Sequence, residues 1–103
     1  MNLTQEDWVS QLEADENAVI LDVRTEAEVS EGIIANAINI DIHKGQDFVD
    51  QIEALDKNKN YYVYCRSGMR SEKACEIMNH LGFENAYNLI GGILDWDGDI
   101  ISS

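Results

Sequence analysis

Two short apolar runs constrain this chain more than any other feature. "AVILDV" at residues 18–23 and "NYYVYC" at 60–65 are nearly continuous, rich in β-branched or aromatic side chains and flanked by polar residues, the pattern of strands covered on both faces. Segments with helical periodicity stand around them. Thr4 followed three residues later by Asp7 has the form of a capping box, and Trp8, Val9 and Leu12 supply one apolar face, so a first helix is expected over roughly 4–14. "TEAEVSEG" reads as a short helix stopped by Gly32, and "AINI" as a further strand. Phe48, Val49, Ile52 and Leu55 mark a helix over roughly 46–56. From Ser71 to Leu81, the residues Ala74, Cys75, Ile77, Met78 and Leu81 make another amphipathic face, which Gly82 ends; "NAYNL" and "GGILDW" give a last strand and a last short helix.

Strands alternating with helices at this spacing imply right-handed βαβ crossovers. The expected fold is a small, open, mainly parallel α/β sheet of about five strands with helices on both faces. At 103 residues the chain has length for a single domain, 1–103, and it contains no proline, low-complexity tract or repeat that would mark a boundary. In such sheets ligands bind beyond the carboxyl ends of the strands, where Cys65 and the loop after it are placed.

Charge narrows the partners. A formal net charge of −13 would repel nucleic acid and anionic membranes, so neither is expected. No leader-like or membrane-length apolar segment is read, which gives a cytoplasmic expectation, with the two cysteines reduced and the molecule monomeric.

Against that acidic background, residues 57–71 hold Lys57, Lys59, Arg66 and Arg70 and no acid. The loop "CRSGMRS" joins a strand to a helix start, so its backbone amides can converge as an anion-binding nest, with Gly68 allowing the inward turn. A thiol held there should ionise readily, and Cys65 is the candidate nucleophile. Arg66, Ser67, Gly68, Met69, Arg70 and Ser71 are the candidate substrate-binding residues, while Cys75, on the apolar face of its helix, is expected to be inert.

These residues resemble the rhodanese family, specifically its small single-domain members. "VILDVRTEAEVSEG" is similar to the family's first strand and acidic helix, "AINI" to its second strand, "YVYCRSGMRS" to its active-site loop, and "GFENAYNLIGGILDW" to its closing segment. The resemblance implies a thiosulfate sulfurtransferase: Cys65 takes the sulfane sulfur of a small anionic donor such as thiosulfate, or of a persulfide. It then passes that sulfur from its own persulfide to cyanide, a thiol or a protein acceptor. The cationic loop would stabilise the departing sulfite through Arg66 or Arg70. No cofactor is implied beyond that covalent persulfide. Cysteine phosphatases related to this family place five residues between cysteine and arginine, enough for a phosphate, whereas four separate Cys65 from Arg70. Phosphatase and arsenate reductase chemistry therefore rank lower. A non-catalytic or sulfur-carrying module predicts the same fold and stays as the alternative.

The chain departs from the family where "GIIANA" puts Ile33, Ala35 and Asn36 in the places usual for His, Pro and Gly. Asp22 and Arg24 leave their strand beside the active loop, and Arg24 is expected to tie the next helix through Glu28 or Glu31. His43 and His80 are isolated, so no metal site is expected, and no nucleotide-binding glycine pattern follows a strand. Trp8 and Trp96 should sit in the core or at its edge.

Overall fold

The computed structural model describes residues 1–102. In chain order its elements are β1 (Asn2–Leu3), α1 (Gln5–Glu13), β2 (Ala18–Asp22), α2 (Glu26–Val29), β3 (Ile33–Ile34), β4 (Ile38–Asn39), α3 (Gln46–Glu53), β5 (Asn60–Tyr64), α4 (Met69–His80), β6 (Ala86–Leu89) and β7 (Ile100–Ile101). Single 3-10 turns at Ile42–Lys44 and Ile93–Asp95 complete it. Five strands form one sheet in the order β1-β6-β5-β2-β4 with every pair parallel. β3 and β7 make a separate antiparallel ribbon.

Alternation along β5 decides which face each residue serves. Tyr61, Val63 and Cys65 join the side covered by Phe48 and Ile52 of α3 and by Ala74, Cys75 and Met78 of α4. Tyr62 and Tyr64 join the other, where Trp8 of α1 packs edge-on against Tyr62, Tyr64 and Trp96 with ring centres 5.8, 6.5 and 5.7 Å away. Burying a side chain such as Phe48 on one face or Leu89 on the other contributes roughly 1.5–3 kcal/mol, so both faces hold the sheet firmly. The α/β expectation, with helices on both faces, is met.

Several local features differ from the sequence reading. The reciprocal capping box forms at Thr25 and Glu28 rather than at Thr4 and Asp7, where only Thr4 accepts from the Asp7 amide. An Asp is one methylene too short to reach back as Glu28 does. α3 stops at Glu53, and "AINI" pairs only through Ile38 and Asn39 at the sheet edge. α4 begins at Met69, two residues before Ser71. The "GIIANA" connection keeps its turn because Asn36 adopts φ 70, a left-handed conformation that Asn tolerates better than most residues, while Ile33 and Ile34 pair with Ile101 and Ile100.

Candidate functional site

Register brings the carboxyl ends of β2 and β5 side by side, with Asp22 opposite Tyr64. Cys65 follows at once and is 1% exposed. The chain then turns through Arg66 and Ser67 to Gly68, which caps α4 at φ +100; a Cβ there would also lie 3.2 Å from the Gly91 nitrogen and 3.3 Å from the Leu89 oxygen. This turn aims the Gly68 N–H at Cys65 Sγ, 3.1 Å away. The amides of the first helical turn have no partner within the helix, so they are free to face an anion. Burial alone would push the Cys65 thiol up, yet the Ser71 hydroxyl and the amides of Ser71, Gly68 and Ser67 outweigh it and hold the thiol below its ordinary value. The leading groups are therefore hydrogen-bond donors: the loop amides that the sequence pointed to, joined by the Ser71 hydroxyl, with no arginine charge among them.

Ser71 is fully buried, with Oγ 3.3 Å from Cys65 Sγ and hydrogen-bonded on its other side to Asn88 Oδ1. Asn88 is fixed in turn, its Nδ2 donating to Gly68 O at 3.1 Å and to Asn2 Oδ1 at 2.9 Å. One hydroxyl proton thus serves two acceptors. It can stabilise a thiolate on Cys65 only by turning from Asn88 Oδ1 to Sγ. Asn88 was missed in the sequence; a lone amide inside the buried strand "AYNL" was the available signal.

The three arginines have different fates. Arg24, 4% exposed, grips Asp22 through Nε and Nη2 at 2.7 to 3.1 Å and donates to the carbonyls of Gly32 and Glu28. Its role as a tie holds, but its carboxylate is Asp22, not Glu28 or Glu31, because the two-residue spacing folds the side chain back on its own strand end. Arg70 takes the Glu28 carboxylate instead, in a two-pronged pair at 2.6 and 2.7 Å. That contact, chiefly the hydrogen bonds from Arg70, pulls Glu28 down to about 2. Arg66 is exposed and has no ion-pair partner among the described residues. It lines a cleft of about 340 Å³ together with Arg24, Glu28, Glu31, Ile93 and Leu94. Met69 stands at the rim, 79% exposed, and Ser67 is exposed beside it.

Comparison with known proteins bears on this geometry. The Rhodanese-like domain family matches residues 5–99. This chain belongs to the rhodanese-like family. Among relatives, "Putative sulfurtransferase YtwF" of Bacillus subtilis (strain 168) is 41% identical over 88 residues, covering 85% of this chain and 82% of that protein. A tRNA uridine(34) hydroxylase of Legionella pneumophila (strain Corby) is 37% identical over 97 residues, 91% of this chain but only 38% of the hydroxylase. In structure, the rhodanese-like domain protein of Staphylococcus aureus superposes with a TM-score of 0.84 at 30% identity, covering 99% of this chain and 97% of that one. Among the described residues no helix is long and apolar enough to cross a membrane.

Proposed function

We propose that this rhodanese-like protein transfers sulfane sulfur through a persulfide on Cys65. The observation that carries the reading is the sulfur's setting: Sγ lies at the start of α4 with Gly68 N at 3.1 Å and Ser71 Oγ at 3.3 Å. Donors arranged in this way favour the thiolate, which needs no separate base. In the first half-reaction the Cys65 thiolate attacks the outer sulfur of the donor. A new S–S bond forms, the donor's S–S bond breaks, and the leaving group, sulfite from thiosulfate or a thiolate from a persulfide, departs with the electron pair. The terminal sulfur then carries the negative charge that the loop amides were stabilising on Cys65. In the second half an acceptor thiolate or cyanide attacks that terminal sulfur, and the Cys65 thiolate is restored.

The resemblance to proteins named as sulfurtransferases supports this reading over the hydroxylase one. Charge supports it too, since a surface at net −13 disfavours RNA. A carrier module would load sulfur and give it up only to its own partner, which gives the experiment two stages. Treating the protein with thiosulfate or a thiol persulfide should add about 32 Da, one sulfur atom, to Cys65, and cyanide should remove it. Cys65→Ser should gain nothing. A wild type that never gains the mass would sink the proposal, and one that holds it against cyanide and thiols would favour the carrier.

A further inference from the structure

Resting on that reading, we propose that Glu28 sets the charge class of the sulfur donor: by cancelling Arg70 it makes the site favour singly charged sulfane donors over dianions such as thiosulfate. Each guanidinium near the loop except one is already matched. Arg24 is held by Asp22, Arg70 by both oxygens of Glu28, and among the described residues Arg66 alone has no ion-pair partner, while Glu31 lines the same cleft. Glu28 does not swing away readily, because the Thr25 amide and hydroxyl also hold its Oε1, at 3.2 and 3.1 Å. It stays ionised at every physiological pH. A donor approaching Cys65 thus meets little net positive charge on a strongly acidic protein, and the electrostatic penalty it feels grows with its own charge.

Glu28→Gln tests this with little structural cost, since Gln also completes a capping box and can still accept from Arg70. Two donors present the same outer sulfur with different charge: thiosulfate with two negative charges and methanethiosulfonate with one. Both lose sulfite or methanesulfinate with the electron pair when the Cys65 thiolate attacks, and taking the variant-to-wild-type ratio for each donor separately cancels their intrinsic reactivities. Coulomb energy is linear in charge, so if the variant raises the loading rate constant of methanethiosulfonate about threefold, it should raise that of thiosulfate about tenfold. Equal changes for the two donors, or none, would overturn the proposal. Should Glu28→Gln fail to fold, wild-type salt dependence decides. Screening should speed thiosulfate loading, and speed it more than methanethiosulfonate loading; thiosulfate loading that slows with salt is the overturning result. Failure here is distinct from failure of the sulfurtransferase reading: wild-type loading by either donor leaves that reading standing whatever Glu28 does, and loading by neither removes both.

Discussion

Cys65 and Cys75 share one apolar cluster and are almost equally hidden, at 1% and 3% exposure, yet their acidities move in opposite directions. Burial pushes Cys75 up to about 12, with nothing nearby strong enough to resist, whereas Cys65 ends below its ordinary value. Burial is common to both, so it cannot be what makes a cysteine reactive. The difference lies in unspent donors. Cys75 sits in the interior of α4, where backbone N–H groups are used in the helical ladder, while Cys65 faces the start of the same helix, where they are free. One helix therefore silences one thiol and activates the other.

The sharpest way to break that contrast is to move the donors. Gly92, at φ +59, lies so close to the strand end that a Cβ would meet backbone atoms of Arg66 and Cys65 at under 3 Å. Backbone cannot yield as a side-chain tip can, so Gly92→Ala should displace the loop at a cost of roughly 2–4 kcal/mol in unfolding free energy. Sulfur loading of Cys65 should fall more than about tenfold with it, because several hydrogen bonds to the thiolate, each worth roughly 1.5 kcal/mol or more, are misplaced together. Denaturant titration and loading kinetics check both. Unchanged loading would mean that the amide geometry is not what activates Cys65.

A smaller effect is expected from Ser71→Ala, which removes one donor and leaves the rest. Losing the hydroxyl should raise the Cys65 pKa toward its ordinary value, moving the rising limb of the loading rate toward alkaline pH; one charge-assisted hydrogen bond of roughly 1.5 kcal/mol corresponds to a reaction about tenfold slower below that limb. The stability sign follows. Because the folded thiol ionises below its unfolded value, its contribution grows as pH rises through the folded pKa and is complete above the unfolded one; the variant narrows that window. Asn88 Oδ1 would also lose its partner, so a drop of about 1–3 kcal/mol in stability is expected at neutral pH. A pH profile that does not move would assign the shift to backbone amides alone.

How much of this was legible beforehand follows the reach of each interaction. Strand β5, the position of Cys65 at its end and the amphipathic face of α4 are local patterns, and all were readable. The pattern places the start of α4 two residues late because the apolar stripe begins only at Ala74, whereas the cap is set by Gly68. Contacts between distant residues were out of reach: Arg70 with Glu28 is 42 positions apart and Ser71 with Asn88 is 17. Ribbon β3–β7 pairs two isoleucines with two others from the far end of the chain, too few for any periodicity to show. Arg24 illustrates a subtler limit. Its structural role was legible in the sequence, but its burial, and the choice of Asp22 over Glu28 and Glu31, depend on which way the side chain folds at the end of β2.

Cys75 offers the gentlest test of the contrast. Cys75→Ala should leave sulfur loading at the wild-type rate and cost about 1 kcal/mol through lost packing. Its distinctive signature lies in alkali. A thiol raised from 9.0 to about 12 on folding stays protonated in the native state while the unfolded chain loses its proton, so stability falls as pH climbs through that window. The slope from one such group is at most about 1.4 kcal/mol per pH unit. Tyr61, Tyr62 and Tyr64 are also raised by burial and add an alkaline decline of their own, so the readout is the difference between variant and wild type. The variant should lose stability less steeply above pH 9, while Cys65, whose effect has the opposite sign, still favours folding there. Equal slopes would show that the Cys75 thiol ionises as easily folded as unfolded, and the two cysteines would then differ in position but not in kind.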